Sequence, residues 1–468
     1  MEARARTTVL AVAAVAAAVA AGLALADERS GPPAAGADRP RDGGAAEDAP
    51  ASPEGQALTL AATGIGLGNL EPCDCVEGML GGFPRRIAEL TRLRGAGPVA
   101  FVDLGDLTGS GHHPRLLELK ARASLDLLAQ AGAAAVAVGE RDLRLGADAL
   151  RAAADAAGVA LLAANVRQGQ ARPFAAWTAA EHGGRRLVFV GALDPALGDP
   201  SGALELDPPG PAVAAALAAA GPADVRVVLF HGEAEAARRA LATLDPPPDV
   251  VVWGHGARQP PPLARLGAAV AVEVVRDARY LSVLTLGTPP TSTHRPLDGH
   301  VPDDPRARRR VDRYYEEAAS LPEPPRRQTP GGAFVGSEAC GDCHEEAWEA
   351  FARSPHHQAQ RRILTARPQR ARLPECTRCH VTGFGYAGGF VDLETTPDLA
   401  EVGCEACHGV GGNHVAAGGE RGFGLRPGFP EAWRPLCVGC HDPSNSPEFE
   451  LGPALERIRH WGPRDAGE

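Results

Sequence analysis

Four C-x-x-C-H motifs constrain this chain more than any other feature. A zinc ribbon also uses C-x-x-C pairs, but it does not need a histidine directly after the second cysteine. Covalent attachment of haem needs two thiols on one short turn and an imidazole next to them as the proximal iron ligand. The motifs therefore predict four covalently bound c-type haems. The attachment cysteines are Cys340, Cys343, Cys376, Cys379, Cys404, Cys407, Cys437 and Cys440, and the proximal ligands are His344, His380, His408 and His441.

The first 26 residues have the pattern of a secretory signal peptide. Arginines at positions 4 and 6 precede an apolar run that ends in Ala24-Leu25-Ala26, which is an A-x-A cleavage pattern. The alternative is an uncleaved membrane anchor, because residues 9–26 are just long enough to span a bilayer. We expect a periplasmic or otherwise exported protein, or one anchored to the outer face of the cytoplasmic membrane. Export agrees with haem attachment, which takes place outside that membrane.

The rest of the chain divides by composition. Residues 27–56 are rich in proline, glycine and charge and predict a disordered linker. Residues 57–287 alternate short apolar runs with helical patterns, which predicts an α/β layered sandwich. Residues 288–333 are proline-rich, with one charged helix around 304–320, and are interpreted as a linker. Residues 334–463 carry all four motifs and predict a mostly irregular and helical multihaem domain.

Sixth iron ligands must come from the remaining histidines of this domain. His356, His414 and His460 follow the first, third and fourth motifs at the distance of a helix or a turn. His357 is adjacent to His356, so either could be the ligand, and consecutive side chains on a helix diverge by about 100°. No histidine lies between the second and third motifs. The number of remaining histidines predicts three irons with two histidine ligands each and one five-coordinate iron, at the haem held by Cys376 and Cys379.

The motifs and their surroundings also resemble a known family. The stretches VGSEACGDCHEEAWEAFARSPHH, CTRCHVTGFGYAGGF, VGCEACHGVGGNH and CVGCHDPSNSPEF resemble the tetrahaem cytochromes c of nitrifying bacteria, which accept electrons from hydroxylamine oxidoreductase. The resemblance implies bis-histidine ligation at three haems and an open second haem. It also implies redox partner proteins, either other cytochromes or a quinol-linked complex. The net charge of -11 argues against nucleic acid as a partner; a membrane is a partner only if the N-terminal segment stays uncleaved.

Residues 57–287 resemble the metallophosphoesterase domain of 5'-nucleotidases. That family shows D-x-H-G, G-D, G-N-H, a lone histidine after a strand, and G-H-x-H, and these residues hold two metals. In this chain, residues of that pattern are replaced by Ile65, Leu67, Arg141 and Ala257. The resemblance implies that one metal site is lost, whereas Asp106, Glu140, His231 and His255 could hold a single Zn, Mn or Fe ion. The alternative is that they are inherited packing residues without a metal.

Cys73 and Cys75 belong to none of the haem motifs. A disulfide between residues two apart would be strained. Free thiols, a redox pair or soft-metal ligands remain open for these cysteines.

These observations predict an exported tetrahaem cytochrome c that transfers electrons, with a catalytically eroded phosphoesterase-like domain as a docking or binding module. One alternative is a redox enzyme that acts on a small nitrogen or oxygen compound at an open haem. A metal-dependent phosphoesterase or nucleotidase is disfavoured, because Ile65, Leu67, Arg141 and Ala257 replace family residues.

Overall fold

A computed structural model describes residues 57–72, 79–109, 114–321, 325–329, 332–366, 370–371, 373–420, 433–442, 446 and 448–460. The expected signal peptide, the expected linker at 27–56, and Cys73 and Cys75 lie outside the described residues. Residues 55–468 form one compact unit. Within the described residues, no helix combines the length and the apolar character needed to cross a membrane.

Two six-stranded sheets form the centre of the α/β region. Their central strands are rich in valine, leucine and alanine and are buried along most of their length, as expected for strands covered on both faces. The strand order is β14-β13-β1-β2-β3-β4 in the first sheet and β11-β12-β10-β9-β7-β6 in the second, and β5 pairs with β8. The strands are β1 (Leu58–Thr63), β2 (Val99–Asp103), β3 (Ala133–Ala137), β4 (Leu161–Leu162), β5 (Val166–Arg167), β6 (Trp177–His182), β7 (Arg185–Leu193), β8 (Glu205–Leu206), β9 (Val225–His231), β10 (Val250–Gly254), β11 (Ala264–Leu266), β12 (Ala269–Glu273), β13 (Tyr280–Leu286) and β14 (Thr291–Pro296).

Helices cover the outer face of each sheet. The apolar residues between the sheets form a central core. A second core lies between the first sheet and its helices, and a third lies between the second sheet and its helices. This arrangement confirms the α/β layered sandwich. Its helices are α1 (Phe83–Arg94), α2 (Pro114–Gln130), α3 (Ala147–Ala157), α4 (Pro209–Ala220), α5 (Ala234–Leu241) and α6 (Pro305–Ala319).

The structure differs from the sequence expectation at residues 288–333. Strand β14 extends the first sheet by antiparallel pairing with β13. Helix α6 buries Val311, Tyr314 and Tyr315 in the core that α1 and α2 also line. The proline-rich composition suggested a linker, but the apolar face of α6 gains its stability from packing on the sandwich. Much of this segment therefore belongs to the α/β region.

The C-terminal region consists of short helices joined by irregular segments, as expected. Among its described residues the backbone forms no strand ladder, apart from one bridge between Arg327 and Tyr386. The helices are α7 (Ser337–Gly341), α8 (Glu345–Ala352), α9 (Ala359–Ala366), α10 (Pro374–Thr377), α11 (Cys404–His408), α12 (Gly412–Ala416), α13 (Arg434–Val438) and α14 (Leu451–Arg457). Its own apolar cluster is small and centres on Val381, Phe390 and Leu399.

Candidate functional site

Four polar side chains converge where strands of the two sheets end. Asp106 follows β2 and Glu140 follows β3 in the first sheet; His231 ends β9 and His255 follows β10 in the second. Carboxyl ends of parallel strands are where α/β folds place ligands. One ligand atom from each of the four residues lies within 4.8 Å of all the others. The structure therefore brings together the four residues that the sequence named as a candidate metal site.

Hydrogen bonds fix the geometry of this cluster. His231 is fully buried, and its Nδ1 lies 2.5 Å from the carbonyl oxygen of Leu104. Its Nε2 lies 2.7 Å from Glu140 Oε2, and Nε2 of His255 lies 3.4 Å from Glu140 Oε1. Gly139 permits this packing, because a Cβ there would lie 2.4 Å from Asp106 Oδ1. Asp106, Glu140 and His231 are buried, and His255 is half-buried.

The electrostatics of the cluster favour a bound positive charge. Burial raises the pKa of Asp106, although His231 acts against that shift. Burial also acts to raise the pKa of Glu140, but hydrogen bonds from His231 and His255 outweigh it and hold this pKa well below its usual range. For His231, burial acts to lower the pKa, and the carboxylates of Asp106 and Glu140 raise it to about 9. The carboxylates of Asp106 and Glu140 therefore stabilise a positive charge in this buried space.

Two observations test whether a divalent cation fits the cluster. Asp106 Oδ2 is buried and has no hydrogen-bond partner among the described residues; its nearest cation is Arg141 Nε at 3.7 Å. A histidine whose Nδ1–H donates to a carbonyl presents the Nε2 lone pair, which is how metal-bound histidines are usually oriented. His231 has this arrangement with Leu104. Two carboxylates and two imidazoles suit Zn, Mn or Fe, so the residues fit a single ion.

The resemblance to phosphoesterases also singled out Ile65, Leu67 and Arg141. Ile65 and Leu67 are buried in the core between the sheets. Both have a left-handed backbone, with φ of 53° and 51°, a conformation that is unfavourable for branched or bulky side chains. Arg141 Nε lies 3.6 Å from Glu140 Oε1 and 3.7 Å from Asp106 Oδ2. Two apolar side chains are thus buried in the core, and a guanidinium lies beside both carboxylates of the cluster.

Each described C-x-x-C-H motif forms a single helical turn. In the first and fourth motifs the histidine N–H donates to the carbonyl of the first cysteine, His344 to Cys340 at 2.9 Å and His441 to Cys437 at 2.8 Å. A cysteine spacing of three residues places both sulfurs on one side of a helical turn. Among the described residues, no disulfide joins any of the eight motif cysteines. The turns therefore hold two thiols and an imidazole together, as thioether attachment of haem requires.

Three histidine pairs lie at the spacing expected for two imidazoles on one metal. With metal–nitrogen bonds of about 2 Å, two imidazoles on opposite sides of an ion have ring centres about 6 Å apart. The ring centroids of His344 and His414 are 6.4 Å apart. Those of His356 and His441 are 6.0 Å apart, and those of His408 and His460 are 5.8 Å apart. Each of these pairs joins a histidine to a motif other than the one it follows in sequence.

His380 of the second motif differs from the other three motif histidines. Among the described residues, no ring contact joins it to another histidine. Its Nδ1 lies 2.8 Å from the carbonyl oxygen of Ala359. Nδ1 of His414 and of His460 likewise lies 2.9 Å and 3.0 Å from a backbone carbonyl oxygen, the orientation usual for histidines that bind a metal through Nε2. Nδ1 of His357 instead lies 2.6 Å from Glu401 Oε2.

The motif cysteines show how the four motifs neighbour one another. Cys340 and Cys404 lie close enough to shift each other's thiol pKa in opposite directions, and so do Cys379 and Cys440. The first motif therefore adjoins the third, and the second adjoins the fourth. The pairing of His408 with His460, which follows the fourth motif in sequence, connects the third and fourth motifs. The spatial order is first, third, fourth, second.

The second motif also contacts the α/β region, a feature that sequence reasoning missed. Leu373 is fully buried in the core that contains Tyr314 of α6, and Cys376 packs against that core. Lys120 Nζ of α2 lies 2.5 Å from Glu375 Oε2. The only sequence signal was that Lys120 is the single lysine of the chain, and a single residue does not predict a tertiary contact.

Comparisons with known proteins find a family likeness in the C-terminal region. Residues 339–409, which contain the first three motifs, match the family model of cytochrome c554 and c-prime. The resemblance to a c-type cytochrome is thereby confirmed for this region. A particular relative is cytochrome c-554 of Nitrosomonas europaea, which is 32% identical over 93 residues, covering 17% of this chain and 40% of that protein. The chain thus spans only 40% of the length of the relative it matches.

Solved structures similar to the chain include phosphoesterases. A 5'-nucleotidase precursor from Thermus thermophilus has 17% identity and a TM-score of 0.49, covering 63% of this chain and 66% of its own. The calcineurin-like phosphoesterase YfkN from Bacillus subtilis has 16% identity and a TM-score of 0.47, covering 56% and 97%. A likeness of this degree says nothing about activity.

Proposed function

We propose that this chain is an exported tetrahaem c-type cytochrome that transfers electrons between redox proteins. The family match of residues 339–409 supports a cytochrome electron carrier. Four complete attachment motifs support a count of four haems, one more than the matched segment contains. When bound, c-type haem supplies one-electron transfer. The protein's residues hold it through two thioethers and one proximal histidine at each motif.

The histidine pairs carry this proposal. They support His414 as the partner of His344, His356 as the partner of His441, and His460 as the partner of His408. Burial lowers the pKa of both His356 and His408, so these rings stay neutral and able to ligate near pH 7. His357 pairs with Glu401 instead, so the two adjacent histidines have different partners.

His380 is proposed to hold an iron with an open sixth position. No ring contact joins His380 to another histidine among the described residues, which supports this assignment and agrees with the missing histidine between the second and third motifs. Irons with two histidine ligands are closed to small molecules, whereas an open position can bind one. The same observation supports the alternative function, a redox enzyme acting on a small nitrogen or oxygen compound at this position.

The α/β region is proposed to act as a binding or docking module that holds at most one divalent ion. Asp106, Glu140, His231 and His255 supply its ligands. Two-metal hydrolysis needs a second set of ligands, and the resemblance implies that Ile65 and Leu67 stand at positions of that set. We therefore expect no appreciable phosphomonoesterase activity with added Mn or Zn. Turnover of a nucleotide at about 1 per second or faster would restore the hydrolase alternative.

The test uses the full chain expressed with a competent c-type maturation system. Intact mass should exceed that of the mature polypeptide by four haem masses. Electron paramagnetic resonance of the oxidised protein should show three low-spin centres and one high-spin centre, and the reduced protein should bind one carbon monoxide. Three or fewer haems would refute the tetrahaem assignment. Four low-spin signals without carbon monoxide binding would remove the open site and the enzymatic alternative. N-terminal sequencing of the exported protein would decide between cleavage after residue 26 and a retained anchor.

A further inference from the structure

The second C-x-x-C-H motif is held against the α/β region by two buried ionic contacts. On one side, Glu71 accepts a hydrogen bond from Arg370 Nε at 3.1 Å and from Tyr315 Oη at 2.8 Å. On the other side, Lys120 donates to Glu375 at 2.5 Å. The motif lies directly after these contacts, because Glu375 immediately precedes Cys376. The α/β region thus forms one wall of the second motif.

The environment of Lys120 is unusual for a lysine. Its side chain is 8% exposed and that of Glu375 is 24% exposed. Lysine seldom occupies such a site unless it is paired. A Cβ on Gly68 would lie 2.5 Å from Lys120 Cδ, so glycine at position 68 leaves room for the lysine stem. Tyr314, also buried, lies within 3.5 Å of Glu375 through its hydroxyl.

A buried ion pair usually contributes little to the stability of a protein. Removing two charges from water is costly, and a well-packed apolar pair often stabilises a protein as much or more. Leu373 and Tyr314 already provide apolar contact at this place. The pair does, however, hold one positive and one negative charge in a fixed place. Glu375 directly precedes Cys376, a proposed haem-attachment residue. Charges held in a poorly hydrated site affect the redox state of a neighbouring centre more strongly than charges in water.

We propose that Lys120, acting through Glu375, is an electrostatic positioning residue that sets the reduction potential of the centre at the second motif. This inference rests on the proposed function, since it assumes a redox-active group at Cys376, Cys379 and His380. Lys120 neutralises the Glu375 carboxylate and keeps it against the α/β region. An uncompensated carboxylate at this position favours the oxidised centre, and an uncompensated ammonium favours the reduced one.

The test is a charge-neutralisation cycle on the full-length haem-loaded protein. Lys120→Met leaves Glu375 unpaired, Glu375→Gln leaves Lys120 unpaired, and the double variant removes both charges. Each is titrated potentiometrically while the high-spin signal is followed. We expect the oxidised-to-reduced ratio at a fixed potential to rise about tenfold in Lys120→Met and to fall about tenfold in Glu375→Gln; tenfold corresponds to about 59 mV for one electron. The double variant should lie within about threefold of the parent.

The matched control is the ion pair between Arg310 of α6 and Asp126 of α2, 2.7 Å apart. It involves α2, the helix that carries Lys120, but it makes no contact with the second motif among the described residues. Arg310→Gln and Asp126→Asn should leave the high-spin centre within about threefold of the parent.

Shifts of the same sign in Lys120→Met and Glu375→Gln, or shifts no larger than those of the control, would overturn the proposal. If Lys120→Met fails to mature, Glu375→Gln and the double variant still decide, since the first must shift and the second must not. If the parent protein lacks a high-spin signal, only the open-site assignment is contradicted. The opposite shifts expected for Lys120→Met and Glu375→Gln are then sought in the low-spin centre whose potential changes between the variants.

Discussion

Leu373→Ala tests whether the haem-binding region and the α/β region share one core. Leu373 has no exposed surface and lies among residues of α2 and α6, shortly before Cys376 of the second motif. The substitution removes three carbon groups from a packed site, worth about 2 kcal/mol in transfer free energy at ~0.8 kcal/mol per methylene. The cavity left behind raises the expected loss of unfolding free energy to about 3 kcal/mol or more.

The assay is urea unfolding of the haem-loaded protein, followed by far-ultraviolet and Soret circular dichroism. With a denaturant slope of about 3 kcal/mol/M, the midpoint should fall by about 1 M. Both signals should move together, because the segment before the second motif packs in the α/β core. Leu393→Ala is the matched control: that side chain is 43% exposed, so the change should stay within about 0.5 kcal/mol. A Soret transition that moves alone, or a midpoint no lower than that of the control, would refute the shared core.

Three further predictions concern the two candidate sites. His356→Ala should convert one low-spin centre to high spin and add a second carbon monoxide site, whereas His357→Ala should leave three low-spin centres; electron paramagnetic resonance distinguishes them, and equal spectra would contradict the ligand assignment. Glu140→Gln should weaken Zn or Mn binding at least about 100-fold, since loss of an outer-shell partner alone costs roughly 10–100-fold; undiminished metal content after dialysis would count against the site. In chelator-treated protein, His231 has its pKa raised from 6.5 to about 9, so its contribution to stability is fully present below about pH 6.5 and is lost as pH rises through about 9. Thermal unfolding across this range should show the decline, and His231→Gln should abolish it.

The sequence alone predicted the chemistry of the C-terminal region. The attachment motif is local, since five consecutive residues on one helical turn supply both thiols and the proximal imidazole. Counting histidines also predicted that one iron lacks a sixth ligand, because the number of side chains does not depend on the fold. Short apolar runs that alternate with helical patterns likewise predicted the layered sandwich. Each run is continuous because a strand buried on both faces needs apolar residues throughout. The family resemblance was tied to the same motifs and is confirmed over residues 339–409.

Only the tertiary structure decided which groups meet. His356 lies against His441 rather than the histidine of its own motif, and no local pattern encodes a contact over that distance in sequence. The four candidate metal ligands come from four different strand ends, so their convergence depends on how the two sheets pack. Composition suggested a linker where β14 and α6 lie, because proline content reports local backbone preference and not burial. Lys120 and Glu375 are far apart in sequence, and they meet because α2, α6 and the segment before the second motif pack in one core.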